Sequence, residues 1–218
     1  MSDSRPASSP CFAHELVAGQ PVDPDTARDL ARFRKAERAR LIDARLAIPA
    51  DDRAALADEI GDILDTLIDL KAAPIVSLYW PFKGELDFRP WMARAHARGA
   101  RIALPIVKAK AEPLIFREWT PGCEMTRGVW NIPIPAEGPE ITPNVVISPV
   151  VGVDPNCYRL GYGGGFYDRT LAAIGPDRQV IGVGHPVAEI PTIFPQHYDI
   201  PMDVVVLGAD HIRHGETP

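Results

Sequence analysis

The chain has 218 residues, 46% of them hydrophobic, and a formal net charge of −6 at neutral pH. This length fits one domain with its own core. The negative balance argues against general binding of nucleic acid or an anionic membrane, and no apolar run could span a bilayer. Three well-separated cysteines argue against a disulfide framework and favour a reducing compartment. We therefore expect a cytoplasmic protein, a monomer or a small homo-oligomer, without a nucleic-acid or membrane partner.

The two ends of the chain differ in composition from its middle. Residues 1–23 are rich in Ser, Pro and Ala and show no periodicity, so we expect a flexible arm. Residues 24–210 are predicted to form a single α/β domain. Residues 211–218 are polar and predict a loose tail.

The first predicted helix begins near Pro24 and runs to about Ala47. Residues 28–45 contain seven basic and three acidic side chains, although the whole chain is negative. Arg34 and Arg38 are four positions apart and share one face of this helix. The cluster is either a solvated helix face or a source of cations for a bound phosphate.

The later segments alternate between helical and strand patterns. Helices are predicted over residues 50–68, 88–98 and 166–174, and strands over residues 74–80, 101–107, 114–119, 144–151, 179–183 and the end of 199–207. This order predicts a three-layer α/β/α sandwich with a mostly parallel, Rossmann-like sheet.

Two segments that follow strands contain candidate ligand-binding residues. Glu85 follows the first predicted strand of the sheet, and ligands of open α/β sheets bind outside the carboxyl ends of strands. It could instead be a plain loop or helix-cap residue. Trp130 lies in a long proline-bearing loop, where it is either a stacking wall for a flat ligand or a plug over the core.

The densest motif is RLGYGGGFYDR at residues 159–169, with glycines at 161, 163, 164 and 165. A glycine loop that runs into a helix N-terminus is suited to bind an anion through free N–H groups and the helix dipole. Arg159 and Arg169 bracket it with charge suited to phosphate. The spacing matches neither a Walker A loop nor the dinucleotide fingerprint. The alternative is a tight strand-to-helix turn with two surface arginines.

This motif resembles the signature of the 5-formyltetrahydrofolate cyclo-ligases, also called methenyltetrahydrofolate synthetases. The similarity extends from about Arg34 to Leu207. It implies an ATP-dependent ligase that uses Mg²⁺ and converts 5-formyltetrahydrofolate to 5,10-methenyltetrahydrofolate, with ADP and phosphate as the other products. A phosphorylated formyl oxygen, an imidate phosphate, would be the intermediate.

The resemblance also assigns roles to individual residues. Glu85 and Arg169 would be catalytic. Those implied in ATP binding are Arg34, Lys35, Arg38, Arg159, Gly161, Gly163, Gly164, Gly165, Phe166, Tyr167, Asp168 and Arg169. Those implied in folate binding are Tyr79, Glu85, Trp130 and Tyr167. Arg34 stands where the family has lysine, so Lys35 is an alternative to it. Asp168 and Asp154 are the candidate Mg²⁺ ligands, although either could be a turn or cap residue.

Some positions depart from the family pattern and leave other functions open. Phe88 replaces a threonine, and Tyr198 replaces a histidine. One alternative is a paralogue that uses ATP on a different small substrate. The others are a non-catalytic protein that binds nucleotide or folate, and an interaction module in which the glycine loop is only a turn.

Overall fold

The computed structural model describes residues 15–17, 20–22 and 24–215. The helices are α1 Pro24–Leu46, α2 Ala50–Leu67, α3 Arg89–Ala97 and α4 Phe166–Ile174, with short 3₁₀ turns at Leu70–Ala72, Val129–Asn131 and Pro186–Ala188. The strands are β1 Glu15–Val17, β2 Gln20–Val22, β3 Ile75–Ser77, β4 Arg101–Ile106, β5 Ile115–Trp119, β6 Met125–Arg127, β7 Pro133–Pro135, β8 Val145–Pro149, β9 Gly152–Val153, β10 Arg159–Leu160, β11 Gln179–Val183, β12 Val204–Val206 and β13 Ile212–His214. Of the helices described, none is long and apolar enough to cross a membrane.

Seven strands form the central sheet in the order β13-β12-β11-β8-β3-β4-β5. The five inner strands are mutually parallel, and β13 and β5 pair antiparallel at the two edges. When the parallel strands are numbered in chain order, they lie in the order 2-1-3-4-5, which is a doubly wound arrangement. The order reverses between β3 and β8, and ligands of such sheets bind at the carboxyl ends beside this point.

Both faces of the sheet are buried under helices. Val145 and Ile147 of β8 face one side, where they join a core cluster with side chains of α2 and α3. Val146, between them, faces the other side and packs with Leu171 of α4. Because a strand buried on both faces packs apolar side chains on each of them, residues 145–147 of β8 are all apolar rather than alternating. The predicted α/β sandwich with a mostly parallel sheet is confirmed.

The ends of the chain give a different result. β1 and β2 form an antiparallel ribbon inside the predicted arm, while residues 1–14, 18, 19 and 23 lie outside the described residues. The predicted loose tail needs correction, because Ile212–His214 pairs antiparallel with β12. A turn closed by the His211 N–H bond to the Gly208 carbonyl (3.1 Å) returns the chain to the sheet edge. Residues 216–218 lie outside the described residues.

Candidate active site

A cleft of about 800 Å³ opens at the carboxyl ends of β3 and β8, where the sheet order reverses. Tyr79 and Pro149 line it from these two strand ends, and Arg38 lines it from α1. The glycine loop and the segment that contains Trp130 form the remaining walls. Its volume lies in the range of small-molecule sites, which is roughly 300–1,000 Å³.

The glycine loop connects β10 to α4 and presents open backbone donors. The N–H groups of residues 161–165 have no acceptor in the part of the chain that the structure describes. Gly165 is the N-cap of α4 in a left-handed conformation and provides no side-chain cap, so the first-turn N–H groups of α4 are also open. Free donors at a helix N-terminus are a suitable site for an anion, as the sequence predicts.

Arg38 and Arg169 flank this loop without a carboxylate partner among the described residues. Arg38 Nε donates to the Gly161 carbonyl (2.6 Å), and Arg169 Nη2 donates to the Gly164 carbonyl. Burial lowers the pKa of Arg38. A Cβ atom at Gly163 would lie 3.2 Å from the Arg38 guanidinium carbon, so only glycine leaves this approach unhindered. Both guanidinium groups are therefore fixed on the loop with donors left for a ligand.

Arg34 and Arg159 also line the cleft, but their charges are paired within the protein. Arg34 pairs with Asp199 at 2.6 Å and also donates to the carbonyl groups of Ile193 and Phe194. Arg159 pairs with Asp168 at 2.7 Å, and its Nη1 is buried without a partner among the described residues. These two arginines hold the segment around Asp199 and the start of α4.

The structure corrects two of the predicted site residues. Lys35 is exposed and does not line the cleft. Asp154 is also outside the cleft lining and is only 1% exposed. Its Oδ1 accepts the N–H groups of Asn156 (3.0 Å) and Tyr158 (3.1 Å), and its Oδ2 accepts that of Ile193 (3.3 Å). Asp154 is thus a turn residue whose carboxylate is already satisfied.

Asp168 is the one predicted metal ligand that lines the cleft. Its Oδ1 accepts hydrogen bonds from Arg159 and from the Ile200 N–H group (3.2 Å). Among the residues described, no group of three or more His, Cys, Asp or Glu side chains could hold a metal ion. A Mg²⁺ ion at this place would therefore take most of its ligands from phosphate oxygens and water, which is common for nucleotide-bound Mg²⁺.

Glu85 is a buried carboxyl group in the cleft wall, with 9% of the residue exposed. Its Oε2 accepts the Phe82 N–H group (3.0 Å), and its Oε1 accepts the Tyr162 hydroxyl (3.0 Å). Burial raises the pKa of Glu85 to about 7, although nearby Arg45 and these hydrogen bonds oppose the rise. A carboxyl group with such a pKa can accept a proton at neutral pH.

Trp130 forms an aromatic wall with three other rings. Its centroid lies 6.4 Å from that of Phe82, with the planes 12° apart, and 6.3 and 6.4 Å from those of Tyr162 and Phe166. The residue is 53% exposed, so it does not plug the core. It has a φ of 56°, which is rare for such a bulky residue, and backbone outliers of this kind cluster at functional sites.

Two predicted tyrosines form the floor of the cleft. Tyr79 is buried with its ring edge-on to Phe88, 6.2 Å between centroids, and Tyr167 lies under the guanidinium of Arg159. Burial raises the pKa of both hydroxyls, so both stay protonated. Phe88 is a core residue that does not line the cleft.

Sequence reasoning did not identify Arg45, Tyr162 or Phe82 as site residues. Arg45 is buried and donates from Nη2 to the Tyr162 hydroxyl (2.7 Å). One signal was present: Arg45 follows Arg34 by eleven positions, about three helical turns, and therefore lies on the same face of α1. Tyr162 lies inside the glycine motif, between Gly161 and Gly163, but its spacing does not indicate a contact with Glu85.

Comparison with known proteins identifies the same family that the glycine motif resembles. Residues 31–208 match the model of the 5-formyltetrahydrofolate cyclo-ligase family. The chain is 28% identical over 169 residues to the 5-formyltetrahydrofolate cyclo-ligase of Escherichia coli strain K12, covering 74% of this chain and 93% of that protein. It is 25% identical over 149 residues to the protein of the same name from Haemophilus influenzae, covering 65% and 80%.

Two solved structures share the fold. The NMR structure of Aquifex aeolicus 5,10-methenyltetrahydrofolate synthetase superposes with a TM-score of 0.72 at 25% identity, covering 85% of this chain and 94% of that one. The 5,10-methenyltetrahydrofolate synthetase of Mycoplasma pneumoniae superposes with a TM-score of 0.66 at 20% identity, covering 80% and 98%.

Proposed function

We propose that this chain, which belongs to the 5-formyltetrahydrofolate cyclo-ligase family, converts 5-formyltetrahydrofolate to 5,10-methenyltetrahydrofolate at the expense of ATP. One observation carries the proposal. A single cleft joins a glycine loop with open N–H groups to an aromatic wall and a buried carboxyl group. The loop suits a phosphate chain, and the wall suits a flat ring system.

The reaction must turn a formyl oxygen into a leaving group. We propose that this oxygen attacks the γ-phosphorus of ATP, so that ADP departs and an imidate phosphate forms at N5. N10 then attacks the formyl carbon, the carbon–oxygen bond breaks, and phosphate leaves with the former formyl oxygen. N10 loses its proton in this step, and the Glu85 carboxylate would accept it, because its pKa is raised to about 7.

The phosphoryl transfer needs positioning and charge neutralisation more than covalent help from the protein. Arg38, Arg169 and the loop N–H groups would supply both to the phosphate chain. Mg²⁺ bound with the nucleotide would neutralise further charge, and Asp168 is the carboxylate that would contact it. Trp130 would stack on the folate ring system.

The test is an assay with purified protein, 5-formyltetrahydrofolate and Mg-ATP, in which formation of the methenyl product is measured by its absorbance. We expect turnover that needs ATP and releases one phosphate per product. Turnover without ATP would contradict the proposed chemistry. ATP binding without turnover would favour a paralogue acting on another substrate or a non-catalytic binding protein.

A further inference from the structure

Glu85 is carried by a turn with an unfavourable backbone. Lys83 has a φ of 47° and Gly84 a φ of 75°, so two successive residues are left-handed. For a residue with a side chain, such as Lys83, this conformation is destabilising and persists only where the surroundings enforce it. The Glu85 N–H bond to the Phe82 carbonyl (3.1 Å) closes the turn, but this contact is local.

Two buried side chains from distant parts of the chain hold the carbonyl groups of this turn. Arg45 Nε, on α1, donates to the Lys83 carbonyl (2.9 Å). His185 Nε2, after β11, lies 3.1 Å from the Gly84 carbonyl. Burial lowers the pKa of His185 to about 4, so the ring is neutral at pH 7. Since a carbonyl only accepts, the single ring proton is on Nε2.

Arg45 contacts the turn at Lys83 and is also linked to the Glu85 carboxyl group through Tyr162. Arg45 Nη2 donates to the Tyr162 hydroxyl (2.7 Å), and this hydroxyl donates to Glu85 Oε1 (3.0 Å). Tyr162 belongs to the glycine loop, so the proposed phosphate loop and the carboxyl group are joined by one hydrogen-bond chain. Tyr162 also has its ring in the aromatic wall, which fixes the direction of its hydroxyl.

We propose that Arg45, Tyr162 and His185 are positioning residues that hold Glu85 toward the cleft, and that Arg45 and Tyr162 also keep it in its proton-accepting form. The inference rests on the proposed function for its catalytic consequence. The titratable groups that face Glu85 are Arg45 from α1, Tyr162 from the glycine loop, Tyr79 after β3 and Tyr167 from α4. Of these, Arg45 and the Tyr162 hydroxyl favour the charged carboxylate, and burial opposes it.

Tyr162→Phe is the central test, because it removes the hydroxyl and keeps the ring in the wall. We expect the acidic limb of the kcat/KM profile for the folate to move to higher pH by roughly one unit, with the KM for ATP unchanged. Titration of the Glu85 carboxyl carbon by NMR should move in the same direction. Tyr158→Phe is the matched control, since Tyr158 does not line the cleft. Profiles of Tyr162→Phe that superpose on those of the parent protein would overturn the proposal.

His185 is tested by a pair of variants. His185→Gln keeps an N–H donor near the Gly84 carbonyl and should retain most of kcat. His185→Leu should lower kcat roughly tenfold or more, because the buried carbonyl loses its donor. Equal activity of the two would contradict a positioning role for this residue. The NMR titration of Tyr162→Phe does not depend on turnover, so it tests the hydrogen-bond chain even if the methenyl assay were negative.

Discussion

Among the described residues, four arginines line the cleft, and they fall into two kinds according to their partners. Arg34 and Arg159 face carboxylates at 2.6 and 2.7 Å and hold parts of the protein together. Arg38 and Arg169 donate to loop carbonyl groups and keep their net charge unpaired within the described chain. Both side chains are only partly buried, so each keeps some hydration, and an anionic ligand would supply the counter-ion that the described chain does not provide.

The role of Arg38 can be tested against a neighbour on the same helix. Arg40 lies two positions away, is exposed and pairs with Glu37 at 2.7 Å. Arg38→Ala should raise the Kd for ATP by about 10- to 100-fold, because a hydrogen bond to a charged group contributes about 1.5–3 kcal/mol. Arg40→Ala should leave the Kd within about twofold. Calorimetry with Mg-ATP measures both, and equal effects would exclude a phosphate role for Arg38.

At the scale of elements, the regular helices and strands form the frame, and the residues that line the cleft come from the connecting segments and from α1 and α4. Proline and glycine mark most boundaries in the sequence, and for that reason the helices and inner strands lie close to their predicted positions. The Arg45–Tyr162–Glu85 chain was not predictable in this way. It joins residues 117 and 77 positions apart, and only the packing of α1 against two loops brings them together.

It was equally hard to predict which acidic side chains bond within the protein and which line the cleft. Asp154 and Asp168 look alike in sequence, as acids beside a glycine-rich segment. The Asp154 carboxylate accepts three backbone N–H groups, whereas Asp168 lines the cleft. This difference arises from tertiary structure alone. The prediction of a loose tail was wrong for a similar reason. β13 is stabilised by its pairing with the edge of β12, which the polar composition of the tail does not indicate.

The glycines at the two ends of α4 allow a matched test of the glycine loop. Gly165 (φ 60°) and Gly175 (φ 89°) flank α4, and a Cβ atom would lie 2.9 Å from Arg169 Nη1 at the first and meet open space at the second. Each substitution by alanine should lower the free energy of unfolding by about 1–2 kcal/mol. Only Gly165→Ala should also weaken Mg-ATP binding. Equal ATP affinities of the two variants would place the phosphate chain elsewhere.

The aromatic wall makes a second prediction at this scale. Trp130→Ala should raise the KM for the folate by about tenfold or more, since a stacked aromatic contact contributes about 1 kcal/mol or more beyond its buried area. The KM for ATP should stay within about twofold, and Trp130→Phe should recover part of the loss. Because the side chain is half-exposed, thermal stability should change little. Parallel losses for both ligands would indicate a general defect of the fold.

For the whole molecule, the buried Glu85 carboxyl group makes the stability of the fold depend on pH. The folded-state pKa of Glu85 is about 7 against an ordinary 4.5, so its contribution to stability is present below pH 4.5 and lost as the pH rises through 7. His185, with a pKa of about 4, acts in the opposite direction and destabilises the fold as the pH falls below 6.5. Functional sites commonly carry such costs.

Glu85→Gln should therefore gain stability relative to the parent protein as the pH rises from about 4.5 to 7, by on the order of 3 kcal/mol. Chemical unfolding at several pH values measures this difference. Glu118→Gln is the control, because the Glu118 carboxylate pairs with Arg101 and its pKa is lowered, so no gain is expected. If the difference in unfolding free energy between Glu85→Gln and the parent protein were constant across this range, the pKa of Glu85 could not be raised to about 7 by burial.

The most direct measurement follows the formyl oxygen itself. 5-Formyltetrahydrofolate labelled with ¹⁸O at the formyl group is incubated with the protein and unlabelled Mg-ATP, and the released phosphate is analysed by mass spectrometry. Transfer of the formyl oxygen to the γ-phosphorus predicts one ¹⁸O atom in each phosphate released. Methenyl product accompanied by unlabelled phosphate would contradict activation by phosphorylation in this cleft.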